Sequence, residues 1–313
     1  MFGLSSRTKI IAGILTALLG GGAVSYLVFS PVDDAVHWDT EISGDPLNVD
    51  AIEQAFERLG YDFDQVKIGQ AAVPRVLVRT MPGDMDQVAE VEHRKALFLG
   101  AVLPVVLAVN EQLVREHETV LRMATKFRAG EALNLREKFD LQRLAKAYEI
   151  TSDDDGQNVT DLSDAAIVEE LVLRAAPIPV SLALAQAAEE SAWGLSRFAI
   201  EGNALYGQWV WNDDAGIIPK GRRTGHGHSI QAFENIYEST LSYAQNLNTH
   251  PAYKRFRRMR AYMITSSGRM DSASLAGALT RYSGRGQAYV ESLRTIMRVN
   301  ELSALDRARL TGA

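Results

Sequence analysis

The stretch Ala185-Gln186-Ala187-Ala188-Glu189-Glu190-Ser191-Ala192-Trp193-Gly194 sets two adjacent acids in small, apolar company and closes on glycine. It reads as one helix that ends in small residues. Trp193 lies three residues after Glu190, so helical geometry puts it one turn along the same face, with Gln186 and Ala187 one turn before. A carboxyl group packed among alanines and an indole is poorly solvated when charged, and its pKa rises. A carboxylic acid held protonated near neutral pH is what a general acid needs to protonate a leaving oxygen. Periodicity does not choose between the two acids. Glu189 has Leu182, Ala185 and Ala192 at helical spacing, and an ordinary surface helix exposes both.

Working outward on the N-terminal side, Pro179 fits the first turn of this helix, where a missing N–H costs little. Leu162 to Ala176 reads as a helix stopped before Pro177, and Thr151 to Gln157 as an acidic turn. Arg136 to Tyr148 reads as an amphipathic helix through Phe139, Leu141, Leu144 and Ala147. Residues 86–128 form long helical patterns in which Pro104 should kink or split the helix. The apolar run Phe98 to Val109 is 12 residues, too short for a membrane span, and fits a buried core helix. Val49 to Leu59 has helical spacing and ends at Gly60, and Val73 to Val78 reads as an extended, edge-type segment. Ser30 to about Asp50 reads as a linker.

The first 9 residues carry Arg7 and Lys9, and Ile10 to Phe29 is a 20-residue run without charge. That length spans a bilayer core, and the basic flank predicts a cytoplasmic N-terminus with the rest translocated. A cleaved signal peptide, cut near Ala23-Val24-Ser25, is the rival reading; the apolar run continues past it to Phe29.

On the C-terminal side, 203–233 differs in kind. It holds Gly221, Gly225, Gly227, Trp209, Trp211, His226 and His228, with short alternating stretches that suggest a small β-hairpin lobe. Ile236 to Asn246, Ala252 to Met263, Ser272 to Tyr282 and Ala288 to Val299 complete a mainly α chain. Hydrophobic content of 46% supports a sizeable core, and the absence of cysteine removes disulfides, thiolate metal sites and cysteine nucleophiles. Net charge is −6 but uneven: 220–300 holds 13 Lys and Arg against 4 Asp and Glu. Such a surface suits an acidic polymer or lipid headgroups; no nucleic-acid motif accompanies it, and no nucleic acid is expected as partner.

Several separated motifs now agree in order and spacing. Glu190-Ser191-Ala192-Trp193-Gly194 is followed by Ser196-Arg197-Phe198-Ala199, then Gly202-Asn203-Ala204-Leu205-Tyr206-Gly207, then Asn246 through Tyr253, then Tyr282-Ser283-Gly284-Arg285-Gly286-Gln287-Ala288-Tyr289. Over roughly residues 88–300 the chain resembles the bacterial peptidoglycan N-acetylglucosaminidases, in their Bax-like branch. The resemblance implies a lysozyme-like helical domain whose β-lobe forms one wall of a sugar cleft. It implies that the catalytic acid is the Glu directly before the Ser, Glu190. It places Tyr282 near the cleft, where a phenol can hydrogen-bond the acetamido group of a sugar.

A glycosidase ordinarily needs a second carboxylate. The family usually places it in the β-lobe, and the corresponding stretch, Lys220 to Gly225, contains no acid. Asp213 and Asp214 sit earlier, in a turn-like segment. One Glu suffices if the substrate's own N-acetyl group assists, or if a sugar hydroxyl attacks to leave an anhydro product. His226 and His228, with Asp213, do not complete a metal site, so no metal and no cofactor are expected. Ser191 lies within a helix and lacks a nucleophile elbow.

The expected organisation is therefore a cytoplasmic tail (1–9), a transmembrane anchor (10–29), a linker and small N-terminal region (30–85), a glucosaminidase domain (86–303) and a tail (304–313). The expected protein is a single-pass inner-membrane hydrolase with its catalytic domain in the periplasm. It acts on peptidoglycan glycan strands at the β-1,4 bond after N-acetylglucosamine. Glu190 and Tyr282 are the catalytic candidates; Gln186, Trp193, Asn203, Tyr206, Trp209 and His228 are the substrate-binding candidates. A lytic transglycosylase using the same Glu190, and a catalytically silent peptidoglycan-binding scaffold, are the alternatives.

Overall fold

The computed structural model describes residues 36–150, 162–210, 216–217 and 229–312. The expected membrane span at 10–29, the acidic turn at 151–157, and Trp211, Asp213, Asp214, His226 and His228 lie outside them. The described residues are mainly helical with two small sheets.

The scaffold is α3 (Val91–Arg128), laid down after β1 (Thr40–Ile42), α1 (Val49–Leu59), α2 (Phe63–Lys67) and β2 (Val76–Val78). Pro104 does not split α3. Every residue from Leu97 to Val109 is buried, and packing on all sides offsets the hydrogen bond the proline cannot donate. By length and composition α3 could cross a membrane, but its most apolar window is 78% buried inside the protein, as fits a core helix. It packs against β2 and against three later helices, α5 (Asp164–Arg174), α6 (Val180–Ser191) and α8 (Ile236–Thr249).

The N-terminal part from residue 36 is not a free linker. β1 and β2 pair in parallel, Thr40 with Val76 through Ile42 with Val78. Leu47, Val49, Ile52 and Phe56 enter the same core as α3 and α6. Asn48 caps α1 by accepting from the Ala51 amide, and Gly60 ends it in the left-handed region. The C-terminal residues are likewise built in. The 3-10 turn Leu302–Arg307 buries Leu302 and Leu305, and Leu310 bridges to Val73. These segments fold in because their apolar residues have a shared core to enter.

One helix departs from its expected face. In α4 (Leu135–Ala147) Leu141 and Leu144 are buried, but Phe139 and Leu135 point to solvent, Leu135 at 88% exposure. The Asn134–Glu137 capping box fixes the start of α4, so apolar burial at Leu135 is not what places it. The β-lobe is a three-stranded antiparallel sheet in the order β3 (Trp209–Val210), β5 (Ser229–Gln231), β4 (Gly216–Ile217). It follows α7 (Arg197–Gly202). The helices after α8 are α9 (Lys254–Ser267), a short α10 (Ser272–Ala276) and α11 (Gln287–Val299). The expected helix to Tyr282 stops at Ala276, and turns carry the chain from there to α11.

Candidate active site

Helix α6 is surrounded. Val180 through Ala188 are all buried, against α3, α10, α11 and the Leu302–Arg307 turn. Its N-cap, Pro179, offers no capping side chain. The cap comes from far along the chain. Asp306 accepts from the Ser181 amide at 2.8 Å and from the Ser181 hydroxyl at 2.9 Å. The loop that enters α6 is pinned as well. His117 meets the Ala175 carbonyl at 2.6 Å, and Asn110 pairs with both the amide and the carbonyl of Ile178. The buried Arg260 guanidinium donates to the carbonyls of Leu173, Arg174, Ala176 and Pro177.

The far end of α6 explains much of the motif. The helix stops at Ser191, and Ala192, Trp193 and Gly194 follow with φ of 52, 59 and 79°. Ser191 holds this left-handed turn. Its hydroxyl donates to the Ala187 carbonyl at 2.6 Å and accepts from the Gly194 amide at 2.9 Å. A Cβ on Gly194 would lie 3.1 Å from Met81 and from Phe98, so the positive φ and the tight packing both call for glycine. The turn swings Trp193 onto α3, where its ring meets Phe98 edge-on with centroids 5.8 Å apart and Lys95 sits over it. The one-turn spacing between Glu190 and Trp193 is therefore not realised, because helical geometry ends between them.

The two acids part company. Glu189 is ion-paired with Arg285 and accepts from the Ser292 hydroxyl at 2.8 Å. Glu190 is half-buried with no basic ion-pair partner among the described residues. Desolvation raises its pKa above the usual carboxylate range; the adjacent Tyr289 hydroxyl partly offsets this, the Glu189 charge adds to it and Arg285 opposes it. Gly207 backs the carboxyl: with φ at +64°, a Cβ there would stand 3.3 Å from Glu190 Oε2.

Tyr289 is the residue that sequence reasoning left aside. Gln186 Nε2 donates to its hydroxyl at 2.9 Å, which leaves the phenolic proton free to point toward Glu190. Gln186 Oε1 in turn accepts from Tyr243 at 2.8 Å. Gln186 is fully buried and committed to two tyrosines, so it acts on the site through Tyr289 and does not line a cleft. Tyr282, the expected catalytic phenol, stacks on Tyr289 with centroids 5.6 Å apart, but its hydroxyl donates to the Tyr206 carbonyl at 3.0 Å. Tyr206 is buried and stacked on Tyr243 at 3.9 Å, so it belongs to the core beside the site and not to a sugar wall. Asn203 caps α7 in the left-handed region, buried, with its amide donating to the Phe233 carbonyl at 3.0 Å. The backbone of Trp209 lies in β3, paired with Ile230; its side chain, and all of His228, lie outside the described residues. Among the described residues no cluster of three or more His, Asp or Glu is placed to hold a metal.

Residues 169–302, which contain Glu190 and the tyrosines around it, match the family model described as mannosyl-glycoprotein endo-beta-N-acetylglucosaminidase, the glucosaminidase family. Over these residues the chain is similar to the glucosaminidases. It is 28% identical over 211 residues to protein Bax of Escherichia coli, an alignment covering 66% of this chain and 70% of the relative. No solved structure matches it. A glucosaminidase domain is a glycosidase domain, and the match spans α6, Gly207 and α11, which come together at Glu190.

Proposed function

We propose that this protein is a peptidoglycan hydrolase that cleaves the β-1,4 bond after N-acetylglucosamine, with Glu190 as general acid. The observation that carries the reading is the position of Glu190 at the end of a buried helix. Desolvation holds its carboxyl up toward the protonated form within reach of the Tyr289 hydroxyl. A protonated carboxyl there gives its proton to the glycosidic oxygen as the bond to C1 breaks. Glu189 is unsuited to serve as the second carboxylate, since Arg285 and Ser292 already hold both its oxygens.

The acetamido group of the substrate then supplies the nucleophile. Its carbonyl oxygen bonds to C1 as the leaving sugar departs with the proton, and Glu190, now a carboxylate, takes a proton from the water that opens the ring. Tyr289 suits this cycle better than Tyr282, because Tyr289 faces Glu190 and the Tyr282 hydroxyl is taken by a backbone carbonyl. The matched family, described as an endo-acting N-acetylglucosaminidase, agrees with the bond proposed. The surroundings of this reading are an anchor at residues 10–29 in a bacterial inner membrane, with the domain in the periplasm.

The test is digestion of purified peptidoglycan with the chain from Ser30 onward, beside Glu190→Gln, with products read by mass spectrometry. Reducing N-acetylglucosamine ends, lost in the variant, support the hydrolase. Anhydro-muramyl ends reassign it as a lytic transglycosylase. Intact glycan with folded protein bound to it makes the chain a silent binding scaffold and removes the catalytic role of Glu190.

A further inference from the structure

The basic C-terminal third contains a second site that the chemistry at Glu190 does not use. At the other end of α6 a cleft of about 650 Å³ opens between α9, α11, the α10 region and the Leu302–Arg307 turn. Met263, Met270 and Met297 supply its apolar lining, and Arg269, Arg294 and Arg298 its positive charge. Ser181, in the first turn of α6, also lines it. Glu190 lies nine positions after Ser181, roughly 14 Å along a helix, so a ligand here leaves that carboxyl free.

The cleft also holds two acids, and their bonding decides which groups are left to pair with a ligand. Asp306 accepts from the Ser181 amide and from the Ser181 and Ser272 hydroxyls, at 2.8, 2.9 and 3.3 Å. Asp271 accepts from the amide and hydroxyl of Ser274, at 3.0 and 3.1 Å. Both carboxylates are committed to neutral donors. The arginines are less committed. Arg294 is shared between the Ala273 carbonyl and Glu291, while the guanidinium groups of Arg269 and Arg298 have no partner among the described residues. The cleft therefore presents two guanidinium groups without partners beside three methionines, while the oxygens of Asp271 and Asp306 are turned to their own serine donors.

A guanidinium fork matches a carboxylate in shape and charge, and methionine accommodates small apolar side chains of varied outline. An inorganic anion would satisfy the arginines and leave the apolar lining empty. The volume suits two or three small residues. We propose that this cleft binds a short peptide of small apolar residues by its free carboxylate. Assigning that peptide to the peptide portion of peptidoglycan rests on the substrate reading above; the chemistry of the cleft does not.

Titration calorimetry on the full chain with N-acetyl-trialanine, which has a single carboxylate, tests this against its C-terminal amide and against inorganic phosphate. The expected result is binding of the acid, at least tenfold weaker binding of the amide and of phosphate, and at least tenfold loss of acid binding in Arg269→Gln/Arg298→Gln with unchanged circular dichroism. Glu190→Gln should bind the acid like the parent chain. Equal affinity for acid and amide, phosphate bound as tightly as the acid, an unaffected double variant, or no binding of the acid each overturns the proposal. Binding of the acid together with intact glycan in the digestion assay would instead remove the substrate reading and leave the cleft standing.

Discussion

Replacing Arg260 by methionine should be among the most damaging single changes in this protein, and the structure gives its size. Arg260 is fully buried. Pro177 has no N–H, so the Leu173 carbonyl, which would otherwise accept four residues on, has no donor in its own helix; Arg260 Nη2 supplies one at 2.8 Å. Arg260 Nη1 serves Ala176, Pro177 and Asn248 Oδ1 at 3.0, 3.2 and 2.7 Å. Two of its acceptors keep other partners after substitution: Arg174 receives the Ala176 amide and Ala176 receives Asn248 Nδ2. Three are orphaned, namely Leu173 O, Pro177 O and Asn248 Oδ1. A buried acceptor left without a donor costs about 1–3 kcal/mol, and partial relaxation keeps the total at roughly 3–5 kcal/mol. Burial lowers the Arg260 pKa to about 9, so the group is charged at neutral pH and the loss is that of a cationic donor. Urea unfolding followed by far-ultraviolet circular dichroism measures the difference. A loss below about 1 kcal/mol, on the scale of an ordinary surface change, would refute this account of how the loop before α6 is held.

Three further outcomes follow from the site. Gly207→Ala must hold alanine at φ +64° with its Cβ against Glu190 Oε2, so it should cost about 1 kcal/mol in unfolding free energy and reduce turnover more than its stability loss explains. Tyr289→Phe removes the hydroxyl that lowers the Glu190 pKa, so the alkaline limb of the pH–rate profile should move to higher pH, while Tyr282→Phe leaves that limb in place. Glu190→Gln tests the linkage directly. The folded pKa of Glu190 lies above its unfolded value, so its contribution is fully present below the unfolded pKa and is lost as pH rises through the folded one. Parent and Gln variant should therefore diverge as pH rises above the ordinary carboxylate range, in favour of Gln, and parallel stability curves would contradict the desolvated site.

The helices and their limits were legible where local chemistry fixes them: Asn48 and Gly60 bracket α1, and Pro177 precedes α6. The Glu190 neighbourhood was legible only in part. The choice of Glu190 over Glu189 depends on Arg285 and Ser292, about a hundred residues away, and no periodicity in α6 carries that information. Trp193 was placed by extending helical spacing two residues past the helix end. The signal against it was present in Ser191 and Gly194, a hydroxyl able to staple a turn and a residue tolerant of positive φ. The surroundings of the tyrosines were hidden for a different reason. Tyr206, Tyr282 and Tyr289 are equivalent as residue types, and only tertiary packing decides which hydroxyl meets the carboxyl, which meets a carbonyl, and which ring is buried in a stack. Phe139 and Leu135 show the opposite failure, apolar residues at helical positions with no neighbouring element to cover them.

The site's central property, a carboxyl whose pKa is raised, emerges from a division of labour between adjacent residues. Two neighbouring carboxylates at the closing end of a helix repel each other, and the carbonyl end of the helix disfavours both, by about 0.3–1 kcal/mol for each exposed charge. Pairing Glu189 with Arg285 relieves one of them and leaves the other to bear burial, repulsion and the helix end together. All three push Glu190 toward its neutral form. Tyr289 and Arg285 are the counterweight, and each favours the carboxylate. In the proposed reaction, a group that releases a proton in one step and recovers one in the next needs both pressures. Burial alone would leave a carboxyl too reluctant to ionise, and a direct ion pair would leave one with no proton to give. Removing Arg285 would unpair Glu189 and raise the Glu190 pKa through the loss of a nearby positive charge, a change that the pH–rate profile of the proposed reaction would register.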